Sequence, residues 1–331
     1  MQSLTPARVR DVRRISQRRL LFSLLFGLVV ALASAANDMQ HILVTGGNSG
    51  IGLALCKRLV TERGCYVYLG SRSAERGAAA LKTITDAFPD TASKLEMVQL
   101  DVTDDKSVAA AAQALKAKGV TLYALVNNAG MGLAHGDCGG AEAILNTNYL
   151  GPKRVTEAMV DLIDTKVGRI VHVSSGAASG FLKRQDPASK ALYSKPDLTQ
   201  EELDAKVQAD LAAGNTGFGS GYGLSKCALS ALALVQAQQY KNLKVVSLSP
   251  GFIDTKMTAG GRGDRRPCVL CACVYIHRYK DTYLFTYIPH TYIQTYIQTY
   301  IHTYKHTCTQ TYTQTYTQTY MHPYMHPCMH A

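Results

Sequence analysis

Short apolar runs alternate with longer stretches of mixed polarity between residues 39 and 258 of this 331-residue chain. Apolar runs of a few residues are typical of buried strands, whereas apolar residues recurring every three or four positions are typical of helices. The predicted strands are His41–Val44, Cys65–Leu69, Met97–Leu100, Ala124–Val126, Arg169–Val173 and Lys244–Leu248. The first two predicted helices are Ile51–Val60 and Arg76–Phe88. Because strand and helix alternate, we expect a single α/β domain with a doubly wound parallel sheet.

Residues 1–36 have a different composition. Six arginines precede an apolar run from Leu20 to Leu32, and the small residues Ala33, Ser34 and Ala35 follow it. This layout is typical of a secretory signal peptide, which predicts entry to the secretory pathway and the ER lumen. An uncleaved membrane anchor remains an alternative, although the run is short of the about 20 residues that a bilayer needs. An Arg-rich plastid or mitochondrial leader is another.

The net charge of +11 is concentrated in the N-terminal segment. The predicted domain, residues 37–262, shows no basic patch interleaved with aromatic residues, so we expect no nucleic-acid partner. Residues 263–331 contain the period-four repeat Thr-Tyr-Ile-Gln and its variants. A period of four matches neither helix nor strand, and the tetranucleotide ACAT read in frame encodes Thr-Tyr-Ile-His. We therefore interpret this tail as disordered or as translated microsatellite DNA, with a genuine Tyr-rich repeat as the alternative.

Nine cysteines in a chain of this length do not indicate a disulfide framework. Cys268, Cys271 and Cys273 are closely spaced and His277 follows them. Their setting beside the repeat favours an accidental cluster over a zinc site, and no bound metal is expected.

A glycine-rich turn lies where the first strand should pass into the first helix. Residues 45–52 read Thr-Gly-Gly-Asn-Ser-Gly-Ile-Gly. Glycines allow a tight turn, close approach of a diphosphate to the backbone, and packing of helix on strand. The predicted cofactor contacts in this turn are Gly46, Asn48, Ser49, Gly50, Ile51 and Gly52.

The residue type just after the second strand indicates the cofactor preference, because a carboxylate there would bind the ribose 2′-hydroxyl of NAD. Arg72 stands there in the sequence Gly70-Ser71-Arg72. A guanidinium can form charge-assisted bonds with a 2′-phosphate, so NADP(H) is favoured.

The glycine-rich turn, together with Asn127-Asn-Ala-Gly130 and Tyr222-x-x-x-Lys226, resembles the short-chain dehydrogenase/reductase family, which has a Rossmann-type fold. Ser174-Ser175, Asn148 and Pro250-Gly251 add matches, and the resemblance extends in order over residues 41–258. It implies cofactor contacts on the adenine, ribose and nicotinamide sides from Asp101, Val102, Asn128, Ala129, Gly130, Pro250, Gly251 and Thr255.

The resemblance also implies four catalytic residues. Tyr222 would be the proton donor to a carbonyl oxygen, and Ser175 would give that oxygen a second hydrogen bond. Lys226 would stabilise the phenolate and hold the nicotinamide ribose, and Asn148 would position a water that links Lys226 to solvent.

The stretch between Ser175 and Tyr222 is longer than a simple loop. It contains a predicted helix with the capping box Thr199-Gln-Glu-Glu202 and an apolar stripe of Leu203, Val207 and Leu211. The arrangement is similar to the monomeric, NADPH-dependent carbonyl reductases, in which such an insert covers an oligomerisation surface. We therefore expect a monomer.

The segment after Pro250-Gly251 departs from the family. A substrate-covering helix and a seventh, edge strand are not recognisable there, so the edge strand is expected to be missing. The predicted function is NADPH-dependent reduction of aldehydes, ketones or quinones. The alternatives are a membrane-anchored alcohol dehydrogenase acting on lipid-like substrates, and a nucleotide-binding pseudoenzyme.

Overall fold

The computed structural model describes residues 39–132, 139–250 and 274–276. The leader 1–36, most of the tail 263–331, and the predicted site residues Gly251 and Thr255 lie outside the described residues. Within the described part, no helix has both the length and the apolar character needed to cross a membrane.

One sheet organises the described residues. Its strands are β1 (His41–Val44), β2 (Tyr66–Ser71), β3 (Leu95–Gln99), β4 (Leu122–Asn127), β5 (Arg169–Val173), β6 (Lys244–Leu248) and β7 (Val274–Ile276). They lie in the order β3-β2-β1-β4-β5-β6-β7. The first six strands are parallel, which confirms the predicted fold class.

The edge of the sheet differs from the prediction of a missing strand. Val274–Ile276 pairs with β6, with Val246 opposite Ile276 and Leu248 opposite Val274. This seventh strand is three residues long and antiparallel. A run of three apolar or aromatic residues inside a cysteine-rich stretch is too short to be recognised as a strand from its pattern.

Helices cover both faces of the sheet, as the buried apolar runs of its central strands require. They are α1 (Gly50–Glu62), α2 (Ala74–Ala87), α3 (Asp105–Ala117), α4 (Gly140–Leu145), α5 (Gly151–Met159), α6 (Gly176–Lys183), α7 (Pro187–Tyr193), α8 (Gln200–Ala212) and α9 (Phe218–Gln239). A single π-helical turn, Asn146–Leu150, joins α4 to α5, and 3₁₀ turns occupy Pro89–Lys94 and Val160–Leu162. Helices α1 and α2 pack on one face, while α3 and α5 pack on the other.

The insert before Tyr222 forms helices α6, α7 and α8 and has its own apolar cluster with α4 and α9. The predicted capping box is present: Glu202 N donates to Thr199 Oγ1 at 3.2 Å, and Thr199 N donates to Glu202 Oε2 at 3.0 Å. Leu203 and Val207 are buried and Leu211 packs against them. The helix prediction is therefore confirmed.

The order of the strands fixes where a ligand can bind. From β1 the chain moves outward to β2 and β3, then crosses back to β4 on the other side of β1. A crevice opens at the carboxyl ends of strands where the winding direction reverses. The residues that follow β1 and β4 therefore form the walls of the candidate site.

Candidate active site

The glycine-rich turn leads directly from β1 into α1. Gly46 has φ of 63°, a left-handed conformation that favours glycine. Ser49 precedes α1 and makes no side-chain capping bond, and the first turn of α1 has no acidic residue. The amino end of this helix is therefore suited to an anion such as a diphosphate.

Two of the glycines are required by close contacts as well as by conformation. A Cβ on Gly52 would lie 2.3 Å from the Gly46 carbonyl oxygen and 2.5 Å from Asn128 Nδ2. A Cβ on Gly46 would lie 2.9 Å from Ala129 Cα. Backbone atoms make most of these contacts, so the turn cannot accept a side chain at either position without moving.

Thr45 fastens the glycine turn to the loop after β4. Its Oγ1 accepts hydrogen bonds from the backbone amides of Asn128 at 3.0 Å and Ala129 at 2.9 Å. Asn128 Nδ2 in turn donates to Thr45 O at 2.8 Å. Thr45 was not among the predicted site residues, although it directly follows the buried strand β1.

The remaining predicted residues of the glycine turn lie toward solvent. Asn48 and Ile51 are half-buried, and Ser49 and Gly50 are exposed. Gly130 follows Ala129, and a Cβ there would lie 3.2 Å from Asn148 Oδ1 and 3.5 Å from Lys226 Nζ. Gly130 thus lies between the cofactor turn and the predicted catalytic residues.

The predicted adenine side is at the carboxyl ends of β2 and β3. Arg72 is exposed immediately after β2, so its guanidinium is accessible to a ligand. Asp101 Oδ1 accepts hydrogen bonds from the Thr103 amide at 2.9 Å and the Thr103 hydroxyl at 2.7 Å. Val102 is buried and packs closely against Gly151. Asp101 therefore organises this loop.

Tyr222 and Lys226 lie one turn apart on α9, and Ser175 caps the amino end of α6. The Ser175 side chain lies next to the Tyr222 phenol. Burial raises the pKa of Tyr222, and the hydrogen bond from Ser175 opposes that rise by lowering it. The structure thus brings the predicted acid and the predicted second donor together.

Lys226 is 5% exposed, and its Nζ donates to the Val173 carbonyl oxygen at 2.8 Å. The ammonium lies 5.9 Å from the centroid of the Tyr222 ring. Burial, which disfavours the charged form, lowers the pKa of Lys226 to about 8. An amine with this pKa can change protonation state much nearer neutral pH than an exposed lysine.

Asn148 is fully buried in the π-helical turn Asn146–Leu150. Such turns interrupt α-helices and recur at functional sites. Asn148 Oδ1 accepts from the Met131 amide at 2.9 Å, while its Nδ2 donates to Met131 O at 2.9 Å and to Ser225 Oγ at 3.1 Å. Neither the π turn nor the hydrogen bond between Asn148 and Ser225 was predicted.

The two adjacent serines after β5 have different surroundings. Ser174 Oγ donates to the Lys226 carbonyl oxygen at 3.1 Å and lies 2.8 Å from Ser230 Oγ. Ser175 is the one that contacts Tyr222. This distinction places Ser174 in the support of α9. Pro250, a predicted cofactor contact, is buried just after the end of β6.

The described residues bring no three His, Cys, Asp or Glu side chains close enough to hold a metal ion. Cys268, Cys271 and Cys273 lie outside the described part.

Comparisons with known proteins agree with the fold. The family model described as short chain dehydrogenase matches residues 40–194. The chain is 30% identical over 274 residues to (-)-isopiperitenone reductase of Mentha piperita, covering 67% of this chain and 87% of that protein. It is 30% identical over 249 residues to human carbonyl reductase [NADPH] 1, covering 70% and 88%.

Among solved structures, menthone neomenthol reductase from Mentha piperita superposes with a TM-score of 0.54 at 28% sequence identity. The superposition covers 63% of this chain and 88% of that one.

Proposed function

The chain belongs to the short-chain dehydrogenase/reductase family, and from that premise we propose that it is an NADPH-dependent reductase of aldehydes, ketones or quinones. The observation that carries the proposal is the convergence of Ser175, Tyr222 and Lys226 beside the glycine turn. A phenol, a hydroxyl and an ammonium are the groups that a carbonyl needs when it accepts a hydride and negative charge develops on its oxygen.

The residues fit a dinucleotide cofactor. The turn at Gly46 and Gly52 has no room for side chains, and the amino end of α1 faces the same crevice without a capping side chain or an acidic group. NADP(H), when bound, supplies or accepts the hydride. Arg72 supports the choice of NADP(H) because it is accessible at the end of β2, where a 2′-phosphate would be expected.

In the proposed mechanism, the Tyr222 hydroxyl protonates the carbonyl oxygen while Ser175 donates a hydrogen bond to that oxygen. Loss of a proton from Tyr222 leaves a phenolate, which the nearby Lys226 ammonium stabilises electrostatically. Because burial brings the pKa of Lys226 to about 8, the lysine holds its proton below about pH 8 and can also pass it toward the phenolate in that range. Asn148 is proposed to hold the water that returns the proton from solvent.

We further propose that the protein is monomeric. Helices α6, α7 and α8 bury apolar side chains against α4 and α9, so these faces are already occupied within the chain. Entry to the secretory pathway through residues 1–36 remains a prediction from the leader composition.

The direct test uses the purified full chain with NADPH and menadione, a simple quinone. We expect menadione-dependent loss of NADPH absorbance. Binding of NADPH with no turnover of menadione, simple aldehydes or ketones would overturn the reductase proposal and favour a nucleotide-binding pseudoenzyme. Failure of the chain to bind either NADPH or NADH would contradict both the reductase proposal and the pseudoenzyme alternative.

A further inference from the structure

Ser225 lies between Tyr222 and Lys226 on α9, and its side chain is fully buried. Its Oγ is 2.9 Å from the Tyr222 carbonyl oxygen and 3.1 Å from Asn148 Nδ2. One hydroxyl thus contacts two of the residues proposed to perform the reaction, through the main chain of one and the side chain of the other.

The direction of each bond follows from the donors and acceptors available. Asn148 Oδ1 accepts from the Met131 amide, so the nitrogen of the same side chain must face Met131 O and Ser225 Oγ. An amide nitrogen can only donate, and therefore Ser225 accepts from Asn148. The single hydroxyl proton of Ser225 is then left for the Tyr222 carbonyl oxygen.

These bonds join three separate parts of the fold. Met131 belongs to the loop after β4, Asn148 belongs to the π turn, and Ser225 belongs to α9. All three residues are joined through the Asn148 amide, whose two donor hydrogens are both used. A shift of the π turn relative to α9 would break a hydrogen bond between buried groups, which is costly.

We propose that Ser225 is a positioning residue, which fixes the turn carrying Tyr222 and Lys226 against the π turn carrying Asn148. This inference rests on the proposed reductase function. Ser225 does not reach the reacting carbonyl in this scheme; it acts by holding the Tyr222 phenol where Ser175 can bond it. Small misplacements of reacting groups cost up to about a hundredfold in rate.

The test compares Ser225→Ala with Ser230→Ala in the full chain. Ser230 is on the same helix, and its Oγ donates to the Lys226 carbonyl oxygen at 3.0 Å, but it has no contact with Asn148 among the described hydrogen bonds. We expect Ser225→Ala to lower kcat with menadione about tenfold, to leave the Kd of NADPH unchanged within twofold, and to change the pH profile of kcat. Ser225→Thr, which retains the hydroxyl, should recover most of kcat.

Thermal unfolding of each variant separates positioning from general stability. If Ser225→Ala and Ser230→Ala lose stability equally but only Ser225→Ala changes kcat and its pH profile, the inference is supported. Equal effects of the two substitutions on kcat and on the pH profile would overturn it while leaving the reductase function in place. Absence of turnover by the unsubstituted chain would overturn both.

Discussion

The Lys226 ammonium lies 5.9 Å from the centre of the Tyr222 ring and donates its hydrogen bond to Val173 O instead of to the phenol. In this arrangement the contact that lowers the pKa of Tyr222 is the one with Ser175, while burial raises it. Lysine and tyrosine therefore share a buried region without a direct bond. An electrostatic effect of the lysine on a phenolate needs no such bond, because charges attract strongly at this distance when water is excluded.

Tyr222→Phe removes the proposed proton donor and retains the ring. We expect kcat to fall by about 10²–10⁴-fold, the usual contribution of a general acid, with the Kd of NADPH unchanged. Tyr240→Phe, at the far end of α9, is the matched control and should retain turnover. Stopped-flow measurement of NADPH oxidation checks both; comparable rates in the two variants would contradict the proposed role of Tyr222.

Arg72→Ala tests the cofactor preference. Loss of charge-assisted bonds to a 2′-phosphate should raise the Kd of NADPH about tenfold or more, while the Kd of NADH stays the same. Arg63→Ala, at the opposite end of α1, should change neither value. Fluorescence titration with the two cofactors measures the effect, and an equal loss for both would show that Arg72 does not read the phosphate.

Lys226→Met should abolish turnover yet stabilise the folded protein near neutral pH. Burial lowers the pKa of Lys226 to about 8 from 10.5, so below about pH 8 the folded state holds a charge that the unfolded state accommodates better. In the unsubstituted protein this penalty disappears as pH rises from 8 to 10.5, because the folded lysine loses its proton first. The penalty is roughly 3 kcal/mol at most.

Urea unfolding of both proteins at several pH values measures this effect. The free energy of unfolding should rise between about pH 8 and pH 10 for the unsubstituted chain relative to Lys226→Met. A constant difference between the two proteins over this range would contradict the buried, shifted lysine.

His172 should make the free energy of unfolding depend on pH in the acid range as well. It is fully buried, its Nε2 lies 2.8 Å from Gln236 Oε1, and burial lowers its pKa from 6.5 to about 4. Between these two pH values the unfolded chain binds a proton that the folded protein does not, so stability is complete above about pH 6.5 and declines as the pH falls toward 4. The loss is roughly 3 kcal/mol.

His172→Asn should remove this acid-side decline, as measured by urea unfolding at about pH 7 and about pH 5. His41→Asn is the comparison: burial also lowers the pKa of His41, but this residue is only half-buried, so its substitution should remove a smaller part of the decline. An unchanged decline in His172→Asn would assign the acid sensitivity to other groups.

The sequence predicted the sheet well where apolar runs are short and sharply bounded. The observed bounds of β1, β5 and β6 are those predicted from His41–Val44, Arg169–Val173 and Lys244–Leu248. Strand β4 begins two residues earlier than predicted, at Leu122. The predicted Ser175, Tyr222 and Lys226 do lie together: Ser175 follows the carboxyl end of β5, and Tyr222 and Lys226 share one turn of α9.

Residues whose role depends on long-range bonds were not predictable in the same way. Thr45 binds amides more than eighty positions away, and Ser225 binds Asn148 across 77 positions. Local periodicity carries no information on such pairs. The π turn at Asn148 could not be predicted for a similar reason, because an extra residue in a helical turn leaves no trace in the apolar pattern.

The bonds that Thr45 makes to Asn128 and Ala129 join the two walls of the crevice through the protein's own atoms. Under the proposed function, these bonds hold the loops around a dinucleotide in place, so that little of its interaction energy is spent on ordering them. Exchange of oxidised for reduced cofactor between turnovers can then proceed without the fold around the diphosphate having to close and reopen.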